Sequence, residues 1–184
     1  LIKENNLELD GIEIINPKDE ERIEQRYAYG DVFFKKRQRR GLTQYEARHK
    51  MRDRNHFGAM MVEQGDADAL ISGITRNFPE TIRPALQVIG TQKGVNKIAG
   101  MYILITKSGP VFFADTTINV NPTAQDLADI TYLAAKSVER LNIKPRIAML
   151  SFANFGSTEF EESKKVSDAV KILHRDHPEL VVDG

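Results

Sequence analysis

Hydrophobic positions change their spacing along the chain. Residues 17–65 carry apolar positions at helical spacing. They predict a long helix from Pro17 to about Arg40, closed by Gly41, and then two further helices. Beyond residue 66, short apolar runs alternate with helical segments of about ten to eighteen residues. This alternation is typical of an α/β fold with a mostly parallel sheet.

The individual elements follow from the same pattern and from turn and capping residues. Thr43 and Thr123 precede two of the helices as N-caps, and Glu46 completes a capping box with Thr43. A strand or hairpin element is predicted at 7–16, and strands are predicted at 67–73, 97–106, 111–117, 146–152 and 180–183. Helices are predicted at 17–40, 43–54, 56–65, from about Thr81 to Gly90, and at 124–141 and 163–176.

One predicted helix start carries an arginine directly before a proline, in the stretch TIRP, and this raises the question whether Arg83 binds an anion there. If Thr81 is the N-cap and Pro84 lies in the first turn, Arg83 lies beside free backbone N–H groups at the positive helix end. That arrangement favours an oxyanion pocket, with Arg76 as a second cation. The alternative is a surface Arg83 paired with Glu80.

Composition narrows the functional classes. The 184 residues contain 26 Lys+Arg and 26 Asp+Glu, and this zero balance argues against a general polyanion-binding protein. The basic run 35–41 is explained by the preference of cations for helix C-termini, although one of its arginines could turn towards an anion. There is no cysteine and no membrane-length apolar run. We therefore predict a cytoplasmic protein that binds neither nucleic acid nor membrane. Because the sequence does not begin with Met and stops directly after the strand-like run LVVDG, we also expect a fragment that is incomplete at both ends.

Loops rich in small polar residues follow three predicted strands, where ligands bind in open α/β sheets. They contain Ser72, Asp115 and Asn154, and each could equally serve as a loop that caps the next helix. The histidines, including the pair in HRDH, read as surface residues, so no metal site is expected. The chain has no GxSxG, Walker or GxGxxG motif, and we identify no catalytic residue.

Several stretches together resemble phosphate acetyltransferases. They are DADALISG, TIRPALQVIGT, FFADTTINVNPTAQDLADI, PRIAMLSF and LVVDG, in the order and spacing of that family from about residue 16 to 184. Within the family, RNFPETIRPALQVIGT and LSFANFGS look most like the C-terminal domain of NADP-dependent malic enzymes. Arg76 stands where the free-standing transferases carry a histidine, and Ala153 and Asn154 stand where they carry a Ser-Thr pair.

The resemblance implies a two-domain architecture similar to isocitrate and isopropylmalate dehydrogenases. Residues 1–95 would belong to a first domain with the anion-binding arginines, and residues 96–184 to a second, oligomer-forming domain. The family's phosphate- and CoA-binding arginines match Arg37 and Arg83. The full set predicted to bind phosphate or acetyl-CoA is Arg37, Ser72, Arg76, Thr81, Arg83 and Asn154.

Three functions remain open at this point. The first is an acetyl-CoA-responsive, allosteric assembly domain of an NADP-dependent malic enzyme, whose separate N-terminal half would oxidise malate with NADP and a divalent metal. The second is an active phosphate acetyltransferase acting on acetyl-CoA or acetyl phosphate. The first reading implies a homo-oligomer, from a dimer up to a hexamer.

The third function is a ligand-free dimerisation domain. Its basis is an apolar stripe on the helix 124–141, although spacing alone favours packing of that stripe on the chain's own sheet. The stripe consists of Leu127, Ile130, Leu133, Ala134, Val138 and Leu141.

Overall fold

The structure is a computed structural model, and it describes residues 4–5, 11–92, 95, 97–153, 157 and 160–184. It has the predicted α/β character, with helices predominating over short strands. The chain forms two compact units, residues 1–90 and residues 91–184.

The first unit is helical in its described part. Its helices are α1 (Ile23–Arg37), α2 (Gln44–Lys50), α3 (Arg54–Gln64) and α4 (Phe78–Val88), with short 3-10 helices at Glu20–Arg22 and Gln38–Arg40. Their inward faces form one core that contains Tyr29, Phe33, Ala47, Met51, Phe57, Ala59, Met60 and Val88. Each large apolar side chain of this kind contributes about 1.5–3 kcal/mol when it leaves water.

Three helix boundaries in this unit are as the sequence predicts: the stops at Gly41 and Gly65 and the start at Thr43. Gly41 and Gly65 close their helices with φ of 82° and 81°, a conformation that glycine adopts at low cost. Thr43 forms the predicted capping box, because its backbone N–H donates to Glu46 and its hydroxyl accepts from the Glu46 N–H. The predicted helix 43–54 is wrong in length: it ends at Lys50, because Asp53 caps a new helix.

Two strand predictions in this unit fail. Residues 67–73 form an irregular and largely exposed segment, and the Ile71 side chain is 97% exposed. The described part of the predicted strand 7–16, from Gly11 to Asn16, is also irregular, and residues 6–10 lie outside the described residues. A short apolar run carries no information about a hydrogen-bonding neighbour, and the described residues of this unit offer no strand to pair with.

The start of α4 also differs from the prediction. Asn77, not Thr81, is the N-cap, and its side-chain oxygen accepts the Glu80 N–H at 3.0 Å. Pro79 occupies the first turn, so Pro84 lies in the interior of the helix. Asparagine is among the best N-caps and proline is favoured in the first turn, so Asn77 and Pro79 start the helix earlier than Thr81 could.

The second unit combines helices and strands. The strands β1 (Met101–Thr106) and β2 (Gly109–Ala114) form an antiparallel pair, and β3 (Arg146–Ala148) and β4 (Val181–Asp183) form a parallel pair. A mostly parallel sheet is therefore not what the described strands form. The helices are α5 (Ala124–Glu139) and α6 (Glu161–Asp176). The core residues are Ala128, Ala135, Leu173, Leu180 and Val182.

Helix α5 confirms two local predictions. Thr123 caps it with a capping box closed by Asp126. Of the apolar stripe, Ile130 and Val138 are buried within the unit, whereas Leu141 at the end is half exposed. Much of the stripe thus serves the unit's own packing, as its spacing favours.

Candidate anion-binding site

Arg83 lies on the outside of α4, in the middle of the helix. Because α4 begins at Phe78, the guanidinium is not at the helix N-terminus, and the expected help from the helix dipole does not apply. The side chain is exposed, and within the described part of the chain it has no hydrogen bond or ion pair. The alternative pairing with Glu80 is not formed either.

Arg37 is the last residue of α1, and its side chain is half-buried. It too has no polar partner among the residues that the structure describes. The neighbouring Lys36 forms an ion pair with Glu63 and donates to the Val88 carbonyl at 2.9 Å. This bond ties the end of α1 to the end of α4, the helix that carries Arg83.

Several other arginines are already paired, whereas Arg39, Arg40, Arg52, Arg140 and Arg146 have no side-chain partner among the described residues. Arg48 binds Asp31 with two hydrogen bonds of 2.8 Å, and these bonds, followed by one from Gln44, lower the pKa of Asp31 to about 2. Arg22 is paired with Glu13, and Arg175 with Asp176. Against these neutralised pairs, Arg37 and Arg83 keep their full donor capacity for an anionic ligand.

Arg76 belongs to a polar cluster around Asp53. Its guanidinium lies 2.7 Å from one carboxylate oxygen, and the other oxygen lies 3.0 Å from His56 Nδ1. Burial raises the pKa of Asp53, but hydrogen bonds from the His56 ring and backbone and the charge of Arg76 outweigh it and hold the pKa below its usual value. Arg76 is thus partly neutralised, unlike Arg83.

A buried asparagine compensates for the proline inside α4. Proline lacks the N–H that would bond the carbonyl four residues back, which is that of Glu80. The Asn55 side-chain amide, from α3, donates to this carbonyl at 3.2 Å. The Asn55 side-chain oxygen accepts from the Ser72 hydroxyl at 2.8 Å, and Asn55 is only 3% exposed. Sequence reasoning missed Asn55, because placing Pro84 in a first turn left no carbonyl unpaired.

The predicted ligand residues therefore fall into distinct groups. Ser72 is bonded to Asn55, and the Thr81 hydroxyl donates to the Asn77 carbonyl within α4 at 3.1 Å. Arg76 is bonded to Asp53, whereas Arg37 and Arg83 have no described partner. All of these lie in the first unit. Asn154 lies outside the described residues.

The second unit contains a cavity of about 830 Å³. Two continuous runs line it, residues 110–115 along β2 and residues 143–152 along β3, together with one face of α5. Asp115 and Ser151, from two of the loops predicted to face a ligand, are among the lining residues. The walls are mostly apolar, so this cavity does not resemble a phosphate site.

The histidines and the helices show no further site. His174 Nε2 lies 2.9 Å from the Val182 carbonyl, and His177 stacks on Tyr132. In the described part of the chain, no group of three or more His, Asp or Glu is arranged to hold a metal ion. Nor does any described helix combine the length and the apolar character needed to span a membrane.

Comparison with known proteins decides the family. Residues 1–184 match the phosphate acetyl/butaryl transferase family. The chain belongs to this family. It is 41% identical over 182 residues to the phosphate acetyltransferase of Bacillus subtilis. The aligned region covers 99% of this chain and 55% of that protein. The chain thus spans about half the length of this relative, and the resemblance predicted from the sequence is confirmed.

Solved structures of phosphotransacetylases are similar in fold to this chain. A phosphotransacetylase from Streptococcus pyogenes matches with a TM-score of 0.83 and 34% identity, covering 100% of this chain and 55% of that one. The chain is also similar to one part of a larger enzyme. The NADP-dependent malic enzyme of Escherichia coli is 37% identical over 173 residues, which are 94% of this chain and 22% of that protein.

Proposed function

We propose that this chain is part of a phosphate acetyltransferase that exchanges an acetyl group between CoA and phosphate. The observation that carries the proposal is the family match over all 184 residues, including 41% identity to a relative named phosphate acetyltransferase. This match favours the transferase over the regulatory malic-enzyme domain and the ligand-free dimerisation domain.

The reaction defines what the protein has to supply. In the direction of acetyl-CoA formation, the CoA thiol loses its proton, and its sulfur attacks the acetyl carbonyl carbon. The bond from that carbon to the phosphate oxygen then breaks, and inorganic phosphate leaves with its electron pair. Negative charge on phosphate is present throughout, so fixed cations are the principal electrostatic requirement.

Arg37 and Arg83 are proposed to meet this requirement by binding phosphate groups of CoA or of the acetyl donor. Their lack of described carboxylate partners supports this role, because a paired guanidinium would have to give up its partner first. Lys36 supports it further, since its bond to Val88 ties the two helices that carry the arginines. Ser72, Arg76, Thr81 and Asn154 complete the proposed ligand set.

Arginine variants test the proposal in an intact protein that carries these residues. Arg37→Ala and Arg83→Ala are each expected to lower kcat/KM for acetyl transfer from acetyl phosphate to CoA by about 10²–10³-fold. Arg140→Ala is the matched control, because Arg140 is also exposed and has no described side-chain partner. Full activity of both Arg37→Ala and Arg83→Ala would contradict the assignment.

A second function is favoured by the malic-enzyme match of 37% identity. In that case, the domain would bind acetyl-CoA as a regulator within a homo-oligomer and would not transfer the acetyl group. NADP and a divalent metal would serve the separate malate-oxidising half. Binding of acetyl-CoA by calorimetry, without formation of acetyl phosphate above background, would favour this function. Measurable turnover would decide for the transferase.

A further inference from the structure

A proline in the interior of α4 leaves a specific gap in the hydrogen bonding of that helix. Pro84 cannot donate to the Glu80 carbonyl, and helices commonly kink where this bond is missing. The turn from Glu80 to Pro84 also carries Arg83. Whatever satisfies the Glu80 carbonyl therefore helps to set the direction in which the Arg83 side chain leaves the helix.

Asn55 fills this gap from the neighbouring helix. Its side-chain nitrogen donates to the Glu80 carbonyl at 3.2 Å, and its side-chain oxygen accepts from Ser72 at 2.8 Å. Its own backbone N–H is held by the Asp53 side chain at 3.1 Å, at the start of α3. One buried amide thus connects α3, α4 and the segment that contains Ser72.

We propose that Asn55 is a positioning residue for Arg83, because it supplies to α4 the hydrogen-bond donor that Pro84 lacks. It holds Ser72 through the same side chain, so the two proposed ligand elements are placed together. The part of this inference that concerns the ligand rests on the proposed function. Asparagine suits the task because its amide is donor and acceptor at once.

The proposal is tested by restoring the missing donor. In Pro84→Ala, residue 84 regains a backbone N–H that can bond the Glu80 carbonyl, so Asn55 becomes dispensable at this point. The experiment is a double-mutant cycle of Asn55→Ala and Pro84→Ala in the intact protein. Its readouts are the KM values for CoA and for acetyl phosphate, since Arg83 is proposed to bind one of them, and the midpoint of urea unfolding.

We expect Asn55→Ala to raise the KM for the substrate that Arg83 binds, CoA or acetyl phosphate, by about tenfold or more, since small displacements of a positioning group have effects of this size. In the Pro84→Ala background, the same change is expected to raise the KM by less than about threefold, and its effect on the unfolding midpoint should shrink in parallel. If Asn55→Ala does not fold, Asn55→Leu takes its place, because it keeps a similar side-chain volume and removes the amide without adding a charge.

Two results would overturn the proposal. The first is equal effects of the asparagine change with and without Pro84, which would mean that Asn55 does not substitute for the missing donor. The second is rescue of stability with no change in KM, which would leave Asn55 a purely structural residue. If the wild-type protein neither turns over nor binds CoA, the proposed function fails and the ligand role of Asn55 fails with it. In that case the unfolding midpoint still tests the donor.

Discussion

The helical core of the first unit and the β1–β2 hairpin of the second differ in how completely their apolar side chains are covered. In residues 1–90, the large side chains Phe33, Met51, Phe57 and Met60 are almost fully buried between helices. In residues 91–184, the β1–β2 hairpin leaves apolar side chains open, and Ile105 is 82% exposed. Helices that are neighbours in sequence can bury one another, whereas a strand pair needs covering elements from further along a chain.

The largest expected effect contrasts one phenylalanine from each unit. Phe33→Ala removes a 1%-exposed ring from the first core and should destabilise that unit by about 3–5 kcal/mol. Phe113→Ala, on the open hairpin at 44% exposure, should cost less than about 1.5 kcal/mol. Urea unfolding of each variant measures both values. Equal losses would mean that the hairpin is covered in solution and would remove the contrast between the helical core and the hairpin.

Alkaline pH should act on the first unit through Tyr29. Burial, and then its hydrogen bond to Asp66, raises the pKa of Tyr29 to about 12. The folded state holds this proton more tightly than the unfolded state, so the stabilisation is complete below the ordinary pKa of about 10 and is lost as pH rises towards 12. We expect a stability decrease of roughly 2 kcal/mol over this window.

The control for this pH dependence is Tyr29→Phe, which has no proton to lose. Stability of both proteins is measured by urea unfolding at several values between pH 9 and pH 12. The difference between the two proteins should narrow as the pH rises. A constant difference across the window would show that titration of Tyr29 does not contribute.

The smallest expected effect is the same in both units. Thr43→Ala and Thr123→Ala each remove the N-cap of a capping box, one in each unit, and each should cost about 1 kcal/mol. Capping is local, so it should not depend on how well the rest of the unit is covered. Thr→Ser at either position retains the hydroxyl and serves as the control. A much larger loss at only one position would show that its cap also supports tertiary packing.

Features that depend on neighbouring residues in sequence were predictable. Thr43, Thr123, Gly41 and Gly65 each act within one turn of a helix, and the structure has them as predicted. The start of α4 was not predicted correctly, because Asn77 and Thr81 are both good caps and only their competition decides.

Features that depend on contacts distant in sequence were harder to predict. The apolar run 67–73 has the composition of a strand, but its sequence does not say whether a partner strand is present. The role of Asn55 requires that α3 lies against α4, a contact that no short motif encodes. Of the predicted site, the sequence could nominate Arg37 and Arg83, whereas their freedom from carboxylate partners is visible only in the folded chain.

The Asn55–Pro84 pair has a consequence for how the sequence evolves. Neither residue is required by its own helix: a donor for Glu80 is needed only because position 84 is proline, and proline is tolerated there because α3 offers that donor. Replacement of Pro84 would release selection on Asn55, and loss of Asn55 would turn Pro84 into a liability. Among related sequences, the two positions should therefore change together, although they lie 29 residues apart in the chain.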